Sequence, residues 1–230
     1  MAAESPTGTG PRDRFRAQVR QEAKTAALRQ LAEGGPEALS LNAIAKQLGM
    51  TGPALYRYFA GRDSLLTELV IDAYGDLAST LSRTAEACPG DAVARLTDLV
   101  RAYRAWALAE PHRYRLLFRA PLQGYDAQST SLVEASQPAM TVLLDAVRAV
   151  AEPKGQIPEE AAAQFREWSE RHGFEDVSEA VAVRSTMLWA HLHGMVGLEI
   201  EGNFTSMGID PPFLYEAEVT DFVRSLRDGS

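Results

Sequence analysis

The sequence predicts an all-α fold, with a three-helix headpiece at the N-terminus and a helical bundle behind it, about nine or ten helices in total. Two observations carry this. Apolar residues recur at spacings of three and four along the chain, with Gly and Pro punctuating the runs. No segment shows the alternation of a half-buried strand, and no internal repeat is present.

Residues 1–11 mix Gly, Pro, Ser and Thr without periodicity and are expected to form a mobile arm. A first helix then runs from about Arg12 to Glu33, with Phe15, Val19, Ala23, Ala27 and Leu31 along one face and Gly34-Gly35-Pro36 as its stop. Its outer side carries Arg14, Arg16 and Arg20, which suits plain solvation and phosphate contact equally.

The stretch SLNAIAKQLGMTGPALYRYF, residues 40–59, reads as two short helices joined by a tight turn. Leu41, Ile44, Ala45 and Leu48 fall on one stripe. Ser40 is placed to cap the first helix, and Gly49 to end it in the left-handed conformation. Thr51-Gly52-Pro53 restarts the chain, a hydroxyl cap followed by proline in the first turn. The second helix is expected over Gly52–Phe59. Leu55 and Phe59 face inward, while Pro53, Ala54 and Arg57 point away with Tyr56 and Tyr58 on the flanks. Small residues let such a helix enter a major groove, Arg grips the O6 and N7 of guanine with two bonds, and hydroxyls hold phosphates.

These residues, with Arg62-Asp63 and Leu65-Leu66 after them, resemble the DNA-binding domain of the tetracycline-repressor (TetR) family. In that family a Tyr-x-Tyr-Phe ending precedes a basic residue that opens the next helix. Arg62 stands where lysine is more usual, which keeps the charge and changes its geometry. The match covers residues 12 to about 70. The element Trp189…His193-Gly194 is similar to that of one C-terminal subclass, the Trp-His-Gly type. The resemblance implies an arm over 1–11, a DNA-binding domain over 12–62, and a ligand-binding and dimerisation domain over 63–230 with a linking fourth helix. The residues it sets against DNA are Ser40, Thr51, Gly52, Pro53, Ala54, Tyr56, Arg57, Tyr58 and Arg62.

Charge distribution agrees. The chain carries a net −8 over 230 residues, yet residues 1–62 hold nine Lys/Arg against five acids, and the remainder fourteen against twenty-six. Basic character sits only where the motif is, and the acidic body limits non-specific adhesion to DNA. The single cysteine, Cys88, excludes an intrachain disulfide. No apolar run approaches the roughly 20 residues of a membrane span, so a cytoplasmic protein without membrane contact is expected.

The fourth helix is expected from Arg62-Asp63 to about Ala87, with Gly75 in its middle permitting either close packing or bending. A fifth spans about Asp91–Ala109 on Val93, Leu96, Val100, Tyr103, Trp106 and Ala107. Pro111 opens a short sixth, closed by Ala120-Pro121, and the seventh covers roughly Gln128–Ala151 with Pro138 breaking or offsetting it. After the loop Glu152–Gly155, Pro158 opens an eighth helix to His172. The last two, about Val177–Ile200 and the segment after Pro211-Pro212, are expected to build a four-helix homodimer interface from Val181, Ala190, Gly194, Gly197, Tyr215, Val219 and Phe222.

Aromatics and histidines gather behind the headpiece: Tyr103, Trp106, His112, Tyr114, Phe118, Phe165, Trp168 and His191. Singly they are ordinary core residues; together they suit the effector pocket that the resemblance implies. His191 and His193, two apart on a helix, cannot share an ion, so no metal is expected. No G-x-S-x-G, P-loop or G-x-G-x-x-G is present, which leaves neither an enzyme nor a cofactor reading. The expectation is therefore a homodimeric regulator, a repressor by preference, that binds a palindromic duplex operator and is released by a small molecule of unknown identity. Its rivals are an activator or effector-independent regulator of the same fold, and a helical carrier or enzyme with a vestigial headpiece.

Overall fold

The computed structural model describes residues 10–118, 129–151 and 157–228. Among them are eleven α-helices, one 3-10 turn and no strand. Residues 1–9 of the arm expected over 1–11, the closing Ala120-Pro121, the start at Gln128 and the loop Glu152–Gly155 lie outside the described residues, while Pro11 already opens the first helix with Gly10 as its cap. The helices form two compact units, and the division falls inside the fourth helix, between Val70 and Ile71.

The first unit contains α1 (Pro11–Gly34), the 3-10 turn Pro36–Ala38, α2 (Leu41–Gln47), α3 (Gly52–Tyr56) and the first part of α4 (Arg62–Ala87). Val19, Ala23, Ala27 and Leu31 of α1 are buried with Leu41, Ile44, Ala45, Leu55, Phe59, Leu65 and Leu66. Each fully covered Leu, Ile or Phe here contributes about 1.5–3 kcal/mol. Phe15 was expected on this face, but it is 61% exposed and the buried stripe begins one turn later at Val19.

Local chemistry sets the short helices. Ser40 Oγ accepts from the Ala43 amide at 3.3 Å, while its own amide donates to Gln30 Oε1 at 2.9 Å, which pins α2 to α1. Gly49 has φ of 67°, and the Met50 amide reaches the Ala45 carbonyl at 2.8 Å while Gly49 reaches Lys46 at 3.2 Å. That pair of bonds is the Schellman ending, which requires a left-handed residue where only glycine is unstrained. Helix α3 is shorter than the eight residues expected. After Tyr56 the chain tightens, Tyr58 N bonding Leu55 O at 2.8 Å, and Phe59 still drops into the core.

The second unit comprises the rest of α4, α5 (Ala92–Ala109), α6 (Pro111–Phe118) up to Leu117, α7 (Thr130–Val150), α8 (Glu159–His172), α9 (Glu179–Ile200), α10 (Asn203–Ser206) and α11 (Pro212–Asp228). Helices α5, α7 and α9 pack on one another, α8 lies on α9, and α11 lies on α5 and α9. Leu96, Val100, Leu144, Val147, Val181, Leu188, Val196 and Leu226 make its centre. Asp91 caps α5 by accepting from the Val93 and Ala94 amides at 2.9 and 3.2 Å.

Two expectations change here. Pro138 lies inside an unbroken α7 on an exposed position, so the lost amide bond faces water instead of ending the helix. The turn of α10, started by Gly202 at φ 76°, was not foreseen because NFTS has no apolar period to reveal it. Gly75 is exposed with nothing within 4 Å of where a Cβ would stand, so close packing does not explain it.

Candidate nucleic-acid interface

The segment from Thr51 to Phe59 is held from beneath and bare on top. Leu55 and Phe59 have no exposed surface. Arg20 of α1 lies over the Phe59 ring, 5.0 Å from its centroid, and is bonded to Glu68, which also takes Lys24 at 3.3 Å. Arg20 is therefore committed to this clamp and leaves the outer face of α1 to Arg12, Arg14 and Arg16, all exposed.

Above that base, Thr51, Pro53 and Arg57 are exposed, Tyr56 is 48% exposed, and Ala54 and Tyr58 are half-buried. The Thr51 carbonyl accepts from the Ala54 and Leu55 amides at 3.0 and 3.3 Å, but its hydroxyl makes no cap bond. The expected hydroxyl cap is thus a backbone start, and the side chain stays available. Arg57, at φ −74° and ψ −16°, closes the helix facing solvent. One turn of helix therefore offers a guanidinium, a free hydroxyl, two phenols and two small apolar side chains on a neutral-to-basic ground.

Three further candidates are placed differently. Ser40 spends its hydroxyl on the α2 amide, although the residue is exposed. A Cβ on Gly52 would come 2.7 Å from Asn42 Oδ1, so this glycine permits the close approach of α3 to α2. Asn42 was missed as its partner; the signal was a glycine at a helix start with no need of a positive φ. Arg62 donates to the Pro36 carbonyl and lies 3.7 Å from Glu37, which fastens the start of α4 to the 3-10 turn.

In the second unit the aromatic candidates separate. Tyr103, Trp106 and Tyr114 are buried. Trp106 Nε1 donates to Asp76 Oδ2 at 2.9 Å, and Arg113 donates to the same oxygen at 3.0 Å. Tyr114 donates to the His193 carbonyl at 2.9 Å and lies 2.8 Å from His193 Nδ1. Since the phenol has one proton, its bond to the carbonyl leaves Nδ1–H to donate to its oxygen. Burial lowers the His193 pKa, and its ring stacks on Trp189, 5.6 Å apart and 9° from parallel.

A second group is Phe165, edge-on to Trp168, with His172 and Phe174 against the Trp168 ring at 5.2 and 5.3 Å. His112 and Phe118 are half-buried. His191 is exposed and lies 2.7 Å from Glu218. Among the described residues no three His, Cys, Asp or Glu side chains gather closely enough to hold a metal ion.

Beside the first group, Arg104 grips Glu199 with two bonds at 2.9 and 2.5 Å and lies over the Tyr215 ring, whose hydroxyl donates to Glu199 at 2.9 Å. Burial works to raise the Glu199 pKa, but the bonds from Arg104 and Tyr215 and the guanidinium charge outweigh it and hold the carboxyl below its usual value.

Of the residues expected at a dimer interface, Val181 of α9 and Tyr215, Val219 and Phe222 of α11 are buried within their own chain, in which α11 packs on α5 and α9. Gly197 is half-buried against the Tyr114 hydroxyl. Ala190 and Gly194 are exposed, in line with Met187 and Leu198 at 45% and 47% exposure. This stripe, one residue per turn, is the outward apolar face of α9.

Comparison with known proteins follows this geometry. A family model described as tetracyclin repressor-like, C-terminal domain, matches residues 96–222, and one described as bacterial regulatory proteins, tetR family, matches residues 25–69. The HTH-type transcriptional regulator Rv1816 of Mycobacterium tuberculosis is 32% identical over 227 residues, covering 95% of this chain and 97% of the relative. The crystal structure of regulatory protein SCO4313 is 43% identical with a TM-score of 0.78, over 93% of this chain and 98% of that one. A Rhodococcus sp. RHA1 protein of unknown function, 23% identical, shares the fold at a TM-score of 0.69 over 97% and 99% of the two chains. No helix among the described residues is long and apolar enough to cross a membrane.

Proposed function

The chain belongs to the TetR family of helix-turn-helix transcriptional regulators, and on that premise we propose that it is a homodimeric repressor which binds a palindromic operator and is released by a small molecule. The observation that supports this most is the pairing of a sealed base, Leu55 and Phe59, with the bare, unbonded face of Thr51, Pro53, Tyr56 and Arg57. A face built for packing would bury those side chains; this one holds them rigidly toward solvent.

In this reading α3 of each protomer enters a major groove. Arg57 reads a base, Pro53 or Ala54 meets a thymine methyl, and Thr51, Tyr56 and Tyr58 donate to phosphates. Arg62, through its bond to the Pro36 carbonyl, and Ser40, through its cap on the Ala43 amide, position α4 and α2. The apolar stripe Met187, Ala190, Gly194 and Leu198 pairs two copies of α9, and the resemblance of Trp189, His193 and Gly194 to the Trp-His-Gly type supports a C-terminal part of that type. A two-fold protein reads two-fold DNA, with half-sites about one helical turn, roughly 34 Å, apart. The effector lies among the buried aromatics of the bundle and acts only by binding the non-binding arrangement of the dimer more tightly, with α4 as the element continuous between headpiece and bundle. DNA as partner makes the cytoplasm the place of action.

Selection from random duplexes tests the reading. An inverted repeat with half-sites about 10 base pairs apart, or slightly more, is the expected consensus. Enrichment of a single asymmetric site, or none, contradicts it.

A further inference from the structure

Helix α1 begins before its core does. Val19 is its first buried residue, and every residue of Pro11–Gln18 is exposed, an overhang of two turns and about 12 Å. The overhang carries Arg12, Arg14 and Arg16 against one acid, Asp13. An Asp13 carboxylate oxygen lies 3.6 Å from where a Cβ on Gly10 would stand, so this acid is turned toward the start of the helix, where the dipole favours it.

The arginines differ in where they lead. Arg12, Arg16, Arg20 and Lys24 follow at every fourth position and share one slowly turning stripe. Lys24 is tied to Glu68 of α4 at 3.3 Å. Arg20, one turn earlier, bonds the same carboxylate and also lies over the ring of Phe59, which stands ahead of α4 at the end of the α3 segment. The stripe therefore climbs from the flank of α4 toward the segment that carries Arg57, and Arg16 and Arg12 continue it by about 6 and 12 Å past Arg20. Arg20 and Lys24 have Glu68 as their counter-charge, while Arg12 and Arg16 stand exposed. Arg14 falls about 160° round the helix from Arg16, on the opposite side.

Resting on the DNA-binding reading of α3 above, we propose that the Arg12–Arg16 edge of α1 is a second DNA contact of the headpiece. It grips backbone phosphates beside the groove that α3 enters, and it reads no sequence. Guanidinium groups match phosphate oxygens with two parallel bonds, and the basic excess of residues 1–62 over an acidic remainder gives the edge the sign a duplex requires.

Salt dependence tests this, because each phosphate neutralised adds about 0.9 to the slope of log affinity against log salt. The full chain is titrated with the selected operator and its single-base variants by fluorescence anisotropy, between about 50 and 200 mM salt. Arg12→Gln with Arg16→Gln should lower the slope by about two and weaken every duplex by a similar factor, about tenfold at the low-salt end. Arg14→Gln, which removes the same charge from the far side, should leave the slope nearly unchanged. Arg12→Lys with Arg16→Lys keeps both charges and should retain the wild-type slope. All three positions are exposed, so circular dichroism should not change. A wild-type slope in the paired Gln variant, a loss per charge just as large from Arg14→Gln, or an altered ranking of operator variants overturns the phosphate contact and leaves α3 binding intact. A wild type with no salt-sensitive affinity for any duplex overturns this contact and the DNA-binding reading together.

Discussion

The two ends of the molecule treat their polar side chains in opposite ways. At α3, Arg57, Thr51 and Tyr56 are exposed above an apolar floor, and Thr51 makes no side-chain cap bond among the described residues. In the bundle, Arg104, Glu199, Tyr215, Asp76, Trp106 and Arg113 turn toward one another and satisfy their bonds inside the chain. The difference separates two uses of the same chemistry. A buried pair has met its partners during folding and serves stability or position; an exposed face on a rigid support keeps its bonding capacity for another molecule.

Breaking the interior network should be the more damaging act. Glu199→Ala leaves the largely covered Arg104 without its counter-charge, and is expected to cost about 3 kcal/mol in urea unfolding. The folded fraction should still discriminate operator sequences, because the α3 face is unaltered. Next comes the exposed stripe of α9. Met187→Glu with Leu198→Glu should weaken dimerisation by about 2 kcal/mol or more, roughly thirtyfold, in sedimentation or light scattering. At concentrations too low for dimerisation the same pair should barely move the unfolding midpoint, since both residues are exposed in the single chain.

Acid sharpens the contrast further. Burial lowers the His193 pKa below the unfolded value of about 6.5, so the unfolded chain binds the extra proton first. Stability is then full above about pH 6.5 and falls as pH drops through and below it, whereas the Glu199 contribution is lost only on further acidification, from about pH 4.5 downward. Melting temperature should decline between pH 7.5 and 5.5, and His193→Gln should flatten that segment alone. The smallest effects belong to the phosphate hydroxyls. Thr51→Val and Tyr56→Phe should each weaken binding to every duplex by about 0.5–1.5 kcal/mol, with no change in sequence preference.

What the sequence disclosed follows how far each interaction reaches. Ser40, Gly49 and Pro53 act on backbone within a few residues, so the boundaries of α2 and the start of α3 were readable directly. Partners distant in sequence were not. Arg20 looks like a free surface charge until Glu68, forty-eight positions on, closes over it, and nothing near Arg62 in the sequence announces its bond to the Pro36 carbonyl. On α9, periodicity shows two apolar stripes with equal clarity. Only tertiary packing decides that Val181 is covered within its own chain while Met187 and Leu198 stay exposed. Phe15 teaches the same point, since spacing marks a stripe without marking where the helix leaves the core.

Everything rests on Arg57 being aimed outward to read a base. Arg57→Ala, compared with the wild type against the selected operator and its single-base variants in gel-shift titrations, is the most direct trial. The expected result is a loss of about 1–3 kcal/mol on the operator and relaxed preference at one position in each half-site, with circular dichroism unchanged. Undiminished affinity and the same ranking of variants would show that this guanidinium reads nothing.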